Sequence, residues 1–447
     1  MSTMKTKPKP TRKRQRGIAL IAVMLAVAVT LVISNEFGTS TSTDMIAAAN
    51  YRDQMRAHFL ARSAQNLAEL VIRIQQRLDN VKQLAGQVQI TDYADQLMMP
   101  FCGTSEEVIA AVGLPPSIAK GLGADVGTCG TGPIKTEDDK INVNCANVPS
   151  GGLGSAGPWS TLKAELDALF YFPSYDPIFN ELDAEGWQRD RNMQVAAIVD
   201  YIDANTYHLR DIGTSESYGY EELKDKYYAK NTFIDTVGEL KLVRGIDDRF
   251  WSLFGNAFTV YGGCQINLAT VTDPQIIAAI LYLAGAAKNP NQPTLLDPKK
   301  LFMLANLVAK ARQFGETFTD PNFADFIAFV KNPGAAVQQL ASQAGTFSGS
   351  AAASAITQGV PGLNPNEQIG LDLDPNALKQ LAKNGPRRTY RVEAWGEIER
   401  KQKNRDGSYV FPPIRSTING VWDTKVVPQN VRKPPVPNGA WVFLRED

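Results

Sequence analysis

The hydrophobic and polar positions predict a long helix at the start of the chain. An apolar run covers residues 18–33, and the chain from residue 39 to residue 85 contains no Gly and no Pro. In this second part apolar side chains recur at alternating spacings of four and three, which places them on one face of a helix. We therefore predict a helix from Ile18 to about Leu84, with Gly38 as its weak point. The predicted apolar stripe consists of Leu60, Ala64, Leu67, Val71, Ile74, Leu78 and Val81.

The middle of the chain predicts short strands followed by helices. Brief alternation at Gln87–Thr91 predicts a strand. After a glycine-rich loop, Ile141–Ala146 predicts a short strand that ends in an Asn-rich turn. Residues 157–250 and 275–345 carry helix-compatible apolar runs. Residues 346–365 are rich in Ala, Gly and Ser, a composition typical of a flexible connection.

The end of the chain predicts antiparallel strands. Asp406-Gly407 has the turn chemistry of a hairpin, and Trp441–Leu444 predicts a further strand. Together with the helical segments, these strands indicate an α+β fold. The same-face apolar sets are Tyr390, Val392, Ala394 and Ile398 on one strand and Ile414, Ile418, Trp422 and Val426 on the next.

Charge changes this picture at the N-terminus. The whole chain has 46 basic and 46 acidic residues among 447, so its formal net charge of 0 gives no reason to expect nucleic-acid binding. Residues 1–17 have no acid and seven basic side chains, which predicts that this end stays cytoplasmic and the apolar run enters the membrane. A Sec signal peptide shares this pattern. A plain single-pass anchor is another interpretation, although the run is short against the roughly 20 residues that a span needs.

The start of the chain resembles type IV pilins and type II secretion pseudopilins. The resemblance rests on a basic leader that ends in Gly17 and continues directly into an apolar helix. It implies cleavage after Gly17 by a prepilin peptidase and methylation of the new N-terminus at Ile18. Most members of the family carry Glu at the fifth mature position, where this chain has Ala22. Loss of that Glu is typical of the K-type minor pseudopilin and suits a subunit at the fibre tip.

Motifs in the helical region resemble the same K-type group in the same order. They are Asp200-Tyr201-Ile202-Asp203-Ala204, the loop Gly213–Glu216, Tyr228–Asn231, Glu239–Val243, and the strand ends Ile141–Cys145 and Gln265–Thr270. The acidic loop is only partly kept, because an adjacent Glu-Asp pair of the family is Ser215-Glu216 here. The resemblance implies a long helix, transmembrane and then amphipathic, packed on an antiparallel pilin-like sheet that carries a large, mainly helical insertion domain.

The resemblance also gives a domain plan and a function. The predicted segments are a leader at 1–17, a helix at 18–85 that is transmembrane over about 18–36, the first part of the pilin-like domain at 86–150, a helical insertion at 151–345, a linker at 346–385 and C-terminal strands at 386–447. The implied function is a minor pseudopilin at the tip of the type II secretion pseudopilus, which nucleates assembly for export across the outer membrane. The implied partners are other minor pseudopilins, the major pseudopilin, the inner-membrane secretion platform and the prepilin peptidase.

This function implies a single-pass protein of the inner membrane, with a cytoplasmic leader and a periplasmic C-terminal domain. A membrane-anchored periplasmic binding module and a minor pilin of a type IV pilus are the alternatives. An anchored hydrolase is a weaker one, because the sequence shows no convincing catalytic constellation and we expect no enzyme activity.

The four cysteines are candidates for disulfides, since an exported domain meets an oxidising compartment. They are Cys102, Cys129, Cys145 and Cys264, and they allow three pairings. Cys102 and Cys129 share one loop-rich stretch, so we expect a disulfide between them. Cys145 and Cys264 each lie beside an Asn-containing strand end and are candidates for a second bond.

One polar loop predicts a calcium site. Asp203, Asp211, Glu216 and Asn231 offer the oxygen ligands that calcium prefers, although their spacing is not that of an EF-hand. Related K-type pseudopilins bind calcium in this domain, which favours this interpretation. The alternative is a solvated loop whose Asp and Asn side chains cap helices.

Overall fold

A long N-terminal helix, a five-stranded antiparallel sheet and a helical unit make up the computed structural model of the chain. This arrangement confirms the predicted α+β class. The structure describes residues 15–81, 89–102, 127–148, 158–182, 186–187, 190–206, 209, 216, 218–221, 223–313, 318, 320–335, 369–398, 412–426 and 439–447.

The first helix, α1, covers Gln15–Asp79 without a break at Gly38. Its 65 residues give a length on the order of 100 Å at ~1.5 Å per residue. Within the described parts of the chain, it is the one helix long and apolar enough to cross a membrane, and its apolar N-terminal part is not covered by the rest of the protein. The predicted continuous helix is confirmed as far as Asp79. Residues 82–88, which include its predicted end, lie outside the described residues.

The face by which α1 packs on the sheet is lined with alanines. Ala57, Ala61, Ala64 and Ala68 are fully buried, whereas Ile74, a member of the predicted stripe, is 44% exposed. A Cβ atom at Gly396 in the sheet would lie 2.5 Å from the nitrogen of Ala61, so helix and strand approach too closely for larger side chains. The predicted stripe is therefore wrong in part, because it was built on large apolar residues and this contact requires small ones.

The main sheet has the strand order β1 (Thr128–Thr131), β7 (Thr389–Ile398), β8 (Ile414–Asp423) and β9 (Ala440–Glu446), and β2 (Lys135–Thr136) also pairs with β7. All of these pairs are antiparallel, and β7 pairs with β8 over ten residues each. The predicted C-terminal strands are present, while the turn at Asp406-Gly407 lies outside the described residues. The strands are β1 Thr128–Thr131, β2 Lys135–Thr136, β3 Ile141–Asn142, β4 Phe258–Thr259, β5 Ile266–Asn267, β6 Ala382–Lys383, β7 Thr389–Ile398, β8 Ile414–Asp423 and β9 Ala440–Glu446.

Short helices with capped N-termini build the helical unit. Asp190, Asp273 and Asp374 each accept a backbone N–H from the first turn of the helix that follows, at 2.7–2.8 Å. The further α-helices are α2 Ala94–Met98, α3 Pro158–Leu169, α4 Asp176–Phe179, α5 Arg191–Ile202, α6 Tyr218–Glu221, α7 Asp248–Phe254, α8 Pro274–Lys288, α9 Pro293–Leu296, α10 Pro298–Gln313, α11 Ala324–Lys331 and α12 Pro375–Leu381. The 3-10 helices are Ile90–Tyr93, Met99–Phe101, Val143–Asn147, Pro173–Tyr175, Val237–Leu242 and Gly255–Ala257.

The buried apolar residues form two cores. One lies between α1 and the sheet and includes Ala64, Ile72, Tyr390 and Trp422. The other fills the helical unit, where the rings of Phe170, Phe250 and Phe254 meet with centroids 5.0–5.5 Å apart. The parallel pairs β3–β4 and β5–β6 belong to the helical unit, since Ile141, Phe258, Ile266 and Ala382 are part of its core.

The predicted strand at Gln87–Thr91 is wrong over its described part. A 3-10 helix begins at Ile90, whose N–H donates to Oε1 of Gln75 on α1 at 2.8 Å. The carbonyl of the buried Thr91 accepts the N–H of Ile134 at 3.3 Å. The segment packs between α1 and the loop after β1, because these contacts bend it out of the extended form. Gln87 and Val88 lie outside the described residues.

Two of the predicted domain boundaries are displaced. Ile369, Leu371, Leu373, Leu378 and Leu381 are buried in the helical core, so the linker assigned to 346–385 extends too far toward the C-terminus. Residues 141–146 pack into the same core, although they were assigned to the first part of the pilin-like domain. Both boundaries depend on contacts between residues far apart in the sequence. The prediction used only the composition of each segment.

The segment Thr136–Lys140, which we call the clasp, joins the two units. The carboxylate of Asp138 accepts the backbone N–H groups of Arg388 and Thr389 and, at 3.0 Å, the hydroxyl of Thr389. Gly262 packs against this contact with a φ of +88°, a backbone conformation that favours glycine. A Cβ at this position would lie 3.2 Å from Oδ1 of Asp138, so there is little room for a side chain. Buried Glu137 accepts hydrogen bonds from Arg391 and from Thr259.

The structure joins the cysteines in two disulfides. Cys102 pairs with Cys129 in the sheet core, with Cα atoms 4.7 Å apart. Cys145 pairs with Cys264 in the helical unit, with Cα atoms 5.7 Å apart. Each bond therefore lies within one unit, and neither connects the sheet to the helical unit.

Candidate metal centre

Three buried carboxylates meet at the C-terminal end of α5. Asp200 lies in the last turn of this helix, and Asp203 follows it as the C-cap, whose N–H donates to the carbonyl of Val199 at 2.9 Å. The spacing of three residues places both side chains on one side of the helix end. Glu216 completes the group, and one oxygen of each carboxylate lies within 4.8 Å of those of the other two.

Asn231 holds the group from the opposite side. Its backbone has a φ of +49°, a left-handed conformation that Asn tolerates better than most residues, and its N–H donates to the carbonyl of Tyr201 at 3.0 Å. The side-chain amide donates to Oε2 of Glu216 at 3.0 Å and to the carbonyl of Asn205 at 2.7 Å. Asn231 therefore fixes Glu216 against the end of α5.

Several buried oxygens in this group have no hydrogen-bond partner among the described residues. They are Oδ1 of Asp203, Oε1 of Glu216 and Oδ1 of Asn231. The carboxylates of Asp203 and Glu216 belong to residues that are 8% and 6% exposed. Leaving buried polar atoms without partners costs free energy, which a bound cation would offset. The residues present therefore fit a cation.

Burial raises the pKa of each carboxyl group well above its usual range. The pKa is raised to about 8 for Glu216, to about 7 for Asp200 and to about 6 for Asp203. For Glu216, repulsion from Asp203 and Asp200 adds to the effect of burial. Without a cation, the folded protein therefore retains protons in this group near neutral pH.

The donor set favours a hard divalent cation. Calcium takes six to eight oxygens from carboxylates, amide carbonyls and backbone carbonyls, all of which this site offers. Magnesium prefers to keep several of its waters, which a group this deeply buried accommodates poorly. When bound, the cation would supply positive charge that holds the ends of two distant chain segments together.

The structure brings Asp203, Glu216 and Asn231 together, and Asp211 lies outside the described residues. Sequence reasoning missed Asp200, although it belongs to the motif Asp200–Ala204. The spacing of Asp200 and Asp203 was the available signal, because residues three apart share a helix face. The backbone N–H of Leu209 donates to both oxygens of Asp200, at 3.1 and 3.2 Å, so this carboxylate also anchors the start of the loop.

The predicted processing site lies on α1. Gly17, Ile18 and Ala22 are part of the helix and are exposed. Their processing stays a prediction.

Similar proteins were sought by comparison with protein families, curated proteins and solved structures. No protein-family model matches the chain, and no curated protein matches it. A similar solved structure is the GspK-GspI-GspJ complex from the type 2 secretion system of enterotoxigenic Escherichia coli. The likeness covers 90% of this chain and 99% of that chain, with a TM-score of 0.45 and 13% sequence identity.

Proposed function

We propose that this chain is a minor pseudopilin of a type II secretion system and that it lies at the tip of the periplasmic pseudopilus. In this position it nucleates assembly with other minor pseudopilins for protein export across the outer membrane. The prepilin peptidase removes the leader after Gly17 and methylates Ile18. The leader stays in the cytoplasm, and the sheet and the helical unit lie in the periplasm.

The outer face of α1 carries this proposal. Phe59 and Leu70 are 62% and 53% exposed, and they lie opposite the alanine face that packs on the sheet. Ile74, which is 44% exposed, lies at the edge of this outer face. Exposed Tyr51 and Met55 continue this apolar row toward the membrane segment. A row of large exposed apolar side chains on a helix marks a contact with another protein. Because the row continues an exposed membrane helix, the partners that fit it are helices that leave the same membrane.

Two features support a place at the tip. Ala22 lacks the carboxylate that most pseudopilins carry at this position, where it is thought to neutralise the N-terminal amine of the neighbouring subunit. A charge in lipid without a partner is costly, so a subunit with no neighbour above it benefits from the loss. The helical unit, inserted between β2 and β7, adds bulk that obstructs the stacking of another subunit above it.

We infer that the role is organisational and that the chain is not an enzyme. The buried carboxylates of the candidate metal centre are held by Asn231 and by backbone groups, in an arrangement suited to ordering a loop. His58 lies on α1 with Nε2 3.9 Å from Glu446, and His208 lies outside the described residues.

Photocrosslinking tests the proposed partners. A photoreactive phenylalanine analogue in place of Phe59 should crosslink to the other leader-bearing pseudopilins in membranes that contain the whole secretion system. The same analogue in place of Tyr228, which is 70% exposed on the helical unit, is the matched control and should give at most a tenth of that yield. Crosslinks at Phe59 to copies of the same chain alone, in long fibres, would contradict the proposal.

A further inference from the structure

The helical unit is connected to the sheet by two chain segments that run side by side. The chain leaves β2 through the clasp and enters the helical unit at β3, and it returns from β6 through residues 384–388 into β7. The Asp138 carboxylate binds the returning segment, and the carbonyl of Asp138 accepts the N–H of Asn267 at 2.7 Å. Any movement of one unit against the other therefore requires this junction to open.

Several polar side-chain atoms of the clasp, of the returning segment and of the last turn of α10 have no hydrogen-bond partner among the described residues. They are Oδ1 of Asp139, Nε and Nη2 of Arg312, Oδ1 of Asn384 and Nε of Arg387, all shielded from solvent. These side chains come from both units. Arg312 lies in the last turn of α10, and its Nη1 donates to the carbonyl of Val271 at 2.8 Å. Arg387 pairs with Asp92 beside α2.

Four charged groups of the described chain act electrostatically on Asp139. They are Arg312 of the helical unit, Arg387 of the returning segment, and Lys140 and Glu137 of the clasp itself. Burial raises the pKa of Asp139 to about 7 in spite of attraction to Lys140, and repulsion from Glu137 acts in the same direction as burial. Burial also lowers the pKa of Arg312 to about 9.

We propose that the junction between the sheet and the helical unit is a hinge that loosens when Asp139 becomes ionised. In the closed junction Oδ1 of Asp139 is shielded from solvent and has no donor among the described residues, so the charge of an ionised Asp139 is incompletely compensated. Opening the junction returns this carboxylate to water. The neutral acid carries no charge to compensate, so the closed junction favours it.

The direction of the pH effect follows from the two states. Asp139 has a raised pKa in the closed junction and an ordinary value near 3.9 once it is hydrated. Between these values the closed state holds more protons than the open state. Stability of the closed state is therefore lost as the pH rises through this window, and it stops changing above the pKa of the closed state.

Hydrogen exchange measured by mass spectrometry on the full chain in detergent tests this hinge. After correction for the intrinsic exchange rate, the opening constant at residues 137–140 and 384–388 should rise about tenfold between pH 6 and pH 8.5. Asp139→Asn removes the ionisation, so its opening constant should change by less than about twofold over the same range. Peptides from α5 provide an internal reference for pH effects elsewhere in the helical unit.

Two further variants keep the test decisive. Asp248→Asn removes a carboxylate that is 99% exposed and should retain the tenfold response of the wild-type protein. Arg312→Met removes a cation that favours ionised Asp139, so the midpoint of the response should move to higher pH. A wild-type opening constant that is flat with pH overturns the proposal. So does a tenfold response that persists in Asp139→Asn, or a midpoint that Arg312→Met leaves in place.

Discussion

Replacing Asp138 with alanine should destabilise the protein by roughly 3–5 kcal/mol, the usual effect of removing one partner from a buried charged contact. The Asp138 side chain is fully buried and accepts two backbone N–H groups and the Thr389 hydroxyl. Without the carboxylate these donors stay buried and lose their acceptor. The loss falls on the junction of the two units, so we expect the helical unit to lose its fixed attachment to the sheet.

Urea denaturation of the full chain in detergent, followed by tryptophan fluorescence, measures this loss. Asp235→Ala is the matched control, because it also removes a carboxylate from an ion pair, but its side chain is 89% exposed. The control should change the free energy of unfolding by less than about 1 kcal/mol. Equal effects of the two substitutions would show that the Asp138 contact does not hold the units together.

Calcium should stabilise the helical unit, and its effect should grow as the pH rises. Saturation to 100 times the dissociation constant raises the free energy of unfolding by about 2.7 kcal/mol if the unfolded chain does not bind. In the metal-free protein Glu216, Asp200 and Asp203 have raised pKa values of about 8, 7 and 6. Their contribution to stability is therefore largest at acidic pH and falls as the pH rises through 5 to 8.

Calcium reverses this trend because it binds the ionised carboxylates and displaces their protons. The melting temperature of the full chain in detergent, measured at pH 5.5 and 8 with calcium or with a chelator, should show the larger calcium effect at pH 8. Glu216→Gln and Asp203→Ala should remove most of that effect and leave the β7–β8 hairpin folded. Glu221→Gln, an exposed carboxylate on α6, should retain it. If neither calcium nor chelator changes the melting temperature at either pH, the loop is a solvated connection and not a calcium site.

The order of apolar and polar residues along the chain predicted those helices and strands that pack against a single neighbouring element. Alternation at Tyr390, Val392 and Ala394 gave the buried face of β7, and the absence of Gly and Pro after residue 39 gave the long helix. In these segments the apolar residues recur at the spacing of the secondary structure, so the same residues form its buried face. The pattern failed where a distant contact selects the residue type. The alanine face of α1 exists because β7 approaches closely at Gly396, and no local pattern reports that distance.

The candidate metal centre was predictable in part for the same reason. Asp203, Glu216 and Asn231 share one polar stretch, so their residue types alone suggested oxygen ligands. Asp200 was missed because it lies inside a helix whose other residues are mostly apolar. The charged groups that act on Asp139 come from three separate parts of the chain, and only the fold brings Arg312 and Arg387 near it. Such a cluster has no signature in the linear sequence.

The mature N-terminus tests the proposed pseudopilin function most directly. The chain should be extracted from membranes of cells that contain the native prepilin peptidase and analysed by mass spectrometry of its N-terminal peptide. We predict that the protein begins at Ile18 and carries a methyl group on its amine. A start near residue 50, as after signal-peptide cleavage, or an intact Met1 would contradict the assignment to the pseudopilins.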